Sequence, residues 1–349
     1  MEKPMIPNKK RLCLPALALV CALLTSCGAT AMGPAPSSTP EAARTAAPTP
    51  SPSPSPSPTP TPTPAPTPTP SPTPIPKPTP APAFAEDFSL DKNPEHVWEP
   101  FPGSVDIMIF SSHPDDDQLF MGAVTPTYAQ QGKSVVTVFM TCGYNETTRK
   151  TRMQEALNGV YTVGGRIYPV FGSFTDSRTN TLAEGRRLWK PEDKLLAFMV
   201  EQIRKYKPAV IVTHDIYRGE YKNGSHMYTA EAAQKVFAMS ADANCCPESA
   251  EKYGTWQAAK LYLHLYKEHP LVIDTKAPLD MFGGKTAFDM AEAGYSCHKS
   301  QLHWGFAVSR TKYSIEQFGL VLSMVGYGNT TNDMFENIGK DTMYLLNNP

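Results

Sequence analysis

An α/β fold, a Rossmann-like, mostly parallel sheet flanked by helices, is predicted by two observations. Short β-rich runs recur between helical patterns from about residue 105 onward, and two intervening segments repeat apolar residues at i, i+3, i+4, i+7. The runs are Val105 to Ser111, Val135 to Thr141, Ile167 to Phe171 and Ala209 to Thr213, with Leu271 to Ile273 as a later addition. Between them, Met153, Ala156, Leu157 and Val160 form one helical stripe, and Leu196, Met199, Val200 and Ile203 another. Residues Ser111 to Asp117 after the first run hold no glycine-rich phosphate loop, so a dinucleotide site is not expected.

The chain has 349 residues and 36 prolines, of which 21 lie between Pro34 and Pro82, where no packed core can form. A single domain is therefore expected over residues 84–349, long enough for one continuous core. With 32 basic and 33 acidic side chains the net charge is -1, which argues against a nucleic-acid partner.

The N-terminus reads as an export signal. Lys3, Lys9, Lys10 and Arg11 precede an apolar run from Leu12 to Leu24 and then Thr25-Ser26-Cys27-Gly28. The run is short for a membrane span, which needs about 20 residues. Small residues before a cysteine fit a lipoprotein processing site, so residues 1–26 are expected to be a signal peptide and Cys27 the lipidated mature terminus. An uncleaved anchor is the alternative, and both place the domain outside the cytoplasm. Residues 27–83 form the linker, and from Pro48 to Pro82 every second residue is proline. A polyproline II spacer of that length spans on the order of 100 Å at about 3.1 Å per residue. The expected location is the outer face of the cytoplasmic membrane, with the tether reaching into the cell wall. Cys142, Cys245, Cys246 and Cys297 remain in the domain. A disulfide is permitted there, best between one of the vicinal pair and a distant cysteine, and its pairing stays open.

Polar residues cluster just after two of the runs, where ligands of such sheets bind. His113, Asp115, Asp116 and Asp117 follow the first; His214, Asp215, Glu220 and His226 follow the fourth. His113 and Asp116 can converge on a cation, and a third ligand from another loop leaves a position open for water. A neighbouring carboxylate then takes the water's proton. The bland reading of the first cluster is a polar turn capping a helix, a role that fits Asp117 best. His226 has a surface reading and His214 a loop-anchoring one. Arg152 and Glu155 have the spacing of a helix-surface ion pair. Glu220 and Tyr221 are expected to shape the site loop.

The runs SSHPDDDQLFMGAV, VVTVFMTCG and GEYKNGSHMYTA, followed by HKSQ at His298 to Gln301, resemble the PIG-L/LmbE-like zinc N-deacetylases over about residues 105 to 304. The resemblance implies one Zn2+, with another divalent metal possible, held by His113, Asp116 and His226, with Asp115 as general base. It implies that Arg152 and Asp176 hold the sugar; His298 also resembles a family position, but a histidine there is more often structural and is not read as a ligand. The substrate implied is an N-acetylated amino sugar, and the tether suggests one in a surface or wall glycan. Two residues depart from the pattern. Asp117 stands in place of glutamate, and Asn223 in place of the histidine that steadies the oxyanion or protonates the leaving amine. Asparagine donates a hydrogen bond but supplies no proton. The chain is then either a deacetylase using Asn223 with another helper such as His214, a glycan-binding lipoprotein without turnover, or a deacylase of a small conjugate. Tyr144, Tyr217, Trp189 and Trp304 are candidates for the aromatic lining of its pocket.

Overall fold

The structure, a computed structural model, describes residues 88–328 and 330–348. The signal, Cys27 and the proline-rich linker lie outside the described residues.

In chain order, β1 (Ile107–Ser111) runs into the short α1 (Asp116–Leu119) and α2 (Val124–Gln130). β2 (Val135–Thr141), α3 (Glu146–Thr162) and β3 (Val170–Phe174) follow. Helices α4 (Leu182–Leu188) and α5 (Glu192–Tyr206) lead to β4 (Val210–Thr213). Next come α6 (Gly224–Met239), α7 (Pro247–Tyr253), β5 (Lys260–His264) and β6 (Pro270–Val272). A small hairpin, β7 (Pro278–Leu279) and β8 (Lys285–Thr286), precedes α8 (Ala287–Tyr295), β9 (Gln317–Ser323) and α9 (Thr342–Asn347).

The main sheet has seven strands in the order β3-β2-β1-β4-β5-β9-β6. β1 to β5 pair in parallel, and β9 is antiparallel to both β5 and β6. The predicted class is what forms. The third run is displaced, from the expected Ile167 to Phe171 to Val170–Phe174. Pro169 has no amide hydrogen for the ladder and ends pairing on that side. β5 and β9 were not expected as strands, although each is a short, largely apolar run of strand length.

Every residue of β1 is buried, because helices cover both faces of the sheet. Alternation along the strand assigns the faces. Met108 and Phe110 pack with the apolar stripe of α5 (Leu196, Met199, Val200, Ile203) and with Ala233 and Val236 of α6. Ile107 and Ile109 face the other way, onto Leu119, Phe120, Val124, Tyr128 and Tyr295. Truncating a fully buried residue such as Ile109 to alanine costs about 2–5 kcal/mol.

Helix ends follow local chemistry. Asn145 caps α3 in a reciprocal box with Thr148. Acidic Glu192 and Asp193 open α5, and Arg204 and Lys205 close it, complementing the helix dipole. Arg204 is fully buried and donates to the carbonyls of Met239, Ser240, Asp242 and Cys246 and to Ser249 Oγ. It satisfies the end of α6 and the turn into α7 together. Cys142, Cys245, Cys246 and Cys297 form no disulfide, in contrast to the expected link from the vicinal pair.

Candidate active site

Chain direction across the sheet reverses between β1 and β4, which are direct neighbours. The loops leaving their C-terminal ends therefore diverge around a crevice. A cleft of about 820 Å³ opens there, lined by His113, Asp115, Asp116, Arg152, Asp176, Asn223 and His226 among others.

The turn after β1 is closed by the Asp116 carboxylate, whose Oδ2 accepts from the His113 amide at 2.8 Å. The same oxygen lies 2.9 Å from His113 Nδ1 and 3.2 Å from His226 Nε2, and those two nitrogens are 3.2 Å apart. Three donor atoms thus form a compact triangle. Its edges approach the separation of about 3.4 Å set by three ligands at about 2.1 Å from a tetrahedral centre. Two imidazole nitrogens and one carboxylate beside an open cleft fit a catalytic zinc or another divalent ion. Opposing burial, the Asp116 and Glu220 carboxylates on either side raise the His226 pKa to about 10. A positive charge is favoured between these two anions.

His226 sits in the first turn of α6, positioned by the loop before it. Gly219 has φ +58, and a Cβ there would lie 2.2 Å from the Asn223 carbonyl oxygen, so only glycine fits. Tyr221 and Lys222 also take left-handed φ values of 56 and 60, which cost on the order of 1–3 kcal/mol each. This loop buries Glu220 completely. Its Oε2 accepts from Nδ1 of both His226 (2.7 Å) and His214 (2.9 Å), and its Oε1 from Nδ1 of His264 (2.6 Å) and the Asp215 amide (3.1 Å). Against the effect of burial, His214 and the imidazole hydrogen bonds hold the Glu220 carboxyl well below the usual range. Glu220 holds the Nδ1 side of the ring, so that Nε2 of His226 faces Asp116 Oδ2 and His113 Nδ1 across the triangle.

His214 does not serve as the expected helper. It is fully buried, its Nε2 accepts from the Ser112 amide at 2.9 Å, and its ring stacks on His226 at 4.2 Å. Burial lowers its pKa, and the neutral ring anchors the β1 turn from behind. A second cluster, His214, Glu220 and His226, is wholly buried and is held by these hydrogen bonds. His264 escaped the sequence reading because its strand did. The apolar alternation of Lys260–His264 was the available signal.

Asp115 is buried beside the triangle, and its Oδ1 accepts from Arg152 at 3.0 Å. Burial raises its pKa to about 6, outweighing the pull of Arg152. Arg152 also reaches Asp176 Oδ2 at 3.4 Å and the Pro114 carbonyl at 3.2 Å. It is therefore a buried site residue and not part of a surface ion pair. Glu155 instead accepts from the amide and hydroxyl of Ser300, at 2.7 and 2.6 Å, tying the HKSQ segment to α3. Asp176 accepts from the Gly143 amide at 3.1 Å and lies 3.9 Å from His113 Nε2.

Asn223 is the N-cap of α6: its Oδ1 accepts from the Ser225 amide at 2.9 Å and from Thr179 Oγ1 at 3.3 Å. With Oδ1 committed, the Nδ2 donor is the group left for the cleft. Asp117 is not a helix cap. It lies inside α1, buried, with its carboxyl beside Gln118. Burial, together with Asp115 and Asp116, raises its pKa well above the usual range. His298 is structural, buried against Gln118 Oε1 at 3.0 Å, and burial lowers its pKa to about 3. Of the candidate aromatics, Tyr144 and Trp304 line the cleft. Trp189 is in the core, and Tyr217 stacks on Tyr266.

Residues 108–237, spanning β1 to α6, match the family described as GlcNAc-PI de-N-acetylase, PIG-L. That match covers the site-bearing part of the sheet and its helices. Within it lie the His113, Asp116 and His226 triangle, Asp115 and Arg152. Among similar proteins, a 1D-myo-inositol 2-acetamido-2-deoxy-alpha-D-glucopyranoside deacetylase of Catenulispora acidiphila is 25% identical over 179 residues, 45% of this chain and 54% of that protein. A mycothiol S-conjugate amidase of Streptomyces coelicolor is 27% identical over 181 residues, 45% of this chain and 59% of that protein. The chain spans about half the length of the curated relatives it matches. A solved N,N'-diacetylchitobiose deacetylase from Pyrococcus horikoshii overlays with a TM-score of 0.46 at 15% identity, covering 62% of this chain and 84% of that one.

Proposed function

We propose that the chain is a metal-dependent hydrolase that removes the N-acetyl group from an N-acetylglucosamine-type amino sugar. The observation that carries this reading is the convergence of His113, Asp116 and His226 donor atoms beside an Arg152-held Asp115, in an open cleft of a PIG-L domain. The names of the related deacetylases and amidase support hydrolysis of an amide nitrogen bond. His113, Asp116 and His226 would hold a zinc ion, which would supply Lewis acidity toward an amide carbonyl and lower the pKa of a water toward neutrality.

The protein groups do the rest. Arg152 holds Asp115 Oδ1, so Oδ2 is the oxygen that takes the proton from the attacking water. Protonated Asp115 then returns that proton to the departing amine, the step the family histidine would otherwise share. Asn223 donates through Nδ2 to the oxyanion and transfers no proton. Arg152 and Asp176 orient the sugar.

The same reading places the domain outside the cytoplasm, held by lipid on Cys27, with the tether carrying it to a surface or wall glycan. The sequence of residues 1–83 supports this. Labelled palmitate should enter the wild-type chain in cells and not Cys27→Ser; equal labelling would remove the anchor.

The decisive experiment is acetate release from N-acetylated amino sugars by the zinc-loaded chain beside Asp115→Asn. Release by the wild type and none by the variant is expected, and equal release from both would sink the role of Asp115. A second reading, a glycan-binding lipoprotein without turnover, is favoured by the commitment of Asn223 as a helix cap. Saturable sugar binding with no acetate over long incubation would establish it. Release from a small acylated conjugate alone would move the substrate toward that class.

A further inference from the structure

Two large aromatic side chains stand out on the rim of the cleft. Trp304 is 64% exposed and Tyr144 74% exposed, and both line the same cleft as the metal-ligand triangle. Two large aromatic rings exposed together on one cleft offer apolar faces to whatever binds there. The other three tryptophans have one: Trp98 and Trp189 are buried and Trp256 packs against the core.

Trp304 is also held in place. Its 3-10 turn, Leu302–Trp304, follows Ser300, whose amide and hydroxyl are fixed by Glu155 on α3. The His303 ring lies 4.7 Å from the indole. Tyr144 immediately precedes the Asn145 cap of the same helix. α3 carries Arg152 between these two attachment points, so the aromatic residues are fixed to segments anchored on either side of Arg152. At a rise of about 1.5 Å per residue, the stretch from Asn145 to Glu155 covers on the order of 15 Å. That exceeds one pyranose ring.

We infer that Trp304 and Tyr144 are sugar-stacking platforms for residues flanking the one being deacetylated, so that the ligand is an N-acetylated oligosaccharide chain. The inference rests on the proposed amino-sugar reading and names the form of its substrate. A pyranose presents an apolar face of C–H groups and a rim of hydroxyls. The indole and phenol faces match the former, while Gln301 and Arg178, also on the cleft, suit the latter. The cleft volume of about 820 Å³ stands in the upper part of the range of about 300–1,000 Å³ typical of small-molecule sites, with room beyond a single amino sugar. Because Ser300 at the start of the Trp304 turn is already tied to Glu155, that anchor adds no ordering cost on binding.

The test compares kcat/KM for acetate release from N-acetylglucosamine and from its β-1,4 tetrasaccharide, with the full-length chain and with Trp304→Ala and Tyr144→Ala. The wild type should favour the tetrasaccharide by about tenfold or more, the scale of burying one large aromatic face. Trp304→Ala should bring the ratio close to one, and Tyr144→Ala should lower it. No preference in the wild type, or the same ratio in Trp304→Ala, overturns the inference. A tryptophan fluorescence titration with the same tetrasaccharide reads the platform without turnover, since Trp304 is the exposed indole. A saturable shift in the wild type that disappears in Trp304→Ala supports the platform even where no acetate appears and the deacetylase reading fails. No shift in the wild type overturns it.

Discussion

Glu220 Oε2 lies 2.7 Å from Nδ1 of His226 in a position with no solvent exposure, so a single carboxylate fixes the orientation of the imidazole that completes the triangle with His113 and Asp116. The same carboxylate also orients His214 and His264. Glu220→Gln keeps the volume but places an amide where three imidazole N–H groups and one backbone amide donate. Zinc affinity is expected to fall about 10–100-fold. Chelator competition measures it; unchanged affinity would mean that His226 is aligned without Glu220.

His226→Ala removes one of the three proposed metal ligands. Elemental analysis after exhaustive dialysis should find near one zinc per wild-type chain and much less in the variant. Equal metal in both would show that the triangle is not the metal site.

Asp115→Asn leaves the triangle intact and removes the proposed base. Rate should drop by about 10²–10⁴-fold while zinc stoichiometry stays at the wild-type level. A variant that lost metal and rate together would assign Asp115 to ligation.

Burial lowers the His298 pKa from 6.5 to about 3, so this ring is neutral in the folded chain where it would be charged unfolded. Between pH 3 and 6.5 the unfolded state binds the extra proton, and stability falls as pH falls. The His298 contribution is fully present above pH 6.5 and declines by at most about 1.4 kcal/mol per pH unit below it. Denaturant unfolding of His298→Gln beside wild type, from pH 7 to 4, should show a shallower acid loss in the variant. Parallel curves would contradict it.

Arg204 donates five hydrogen bonds from a fully buried position. Lysine has the charge without the planar fork, so Arg204→Lys is expected to cost about 2–4 kcal/mol by leaving carbonyls of the α6–α7 turn unpaired. A change under 0.5 kcal/mol would mean that water replaces the guanidinium.

What local sequence determines is local. His113, Asp115 and Asp116 fall within four residues at a strand end, and the apolar periods of α3 and α5 mark crossover helices. Side-chain spacing along one element fixes which face it buries, and a strand end followed by polar residues marks a crevice, so the class of fold and the grouping of His113 with Asp116 at one strand end were legible. Pairings between distant segments depend on strand order, and no periodicity encodes that. The tertiary structure alone decided that Glu220 collects three histidines from separate segments, His264 lying 44 residues away. It turned Arg152 inward onto Asp115 and Asp176, sent Trp189 to the core and Trp304 to the rim, and made His214 an anchor. In each case the physical reason is the same: burial and hydrogen-bond satisfaction are set by what the folded sheet brings within about 3 Å, a property of the chain's path through space.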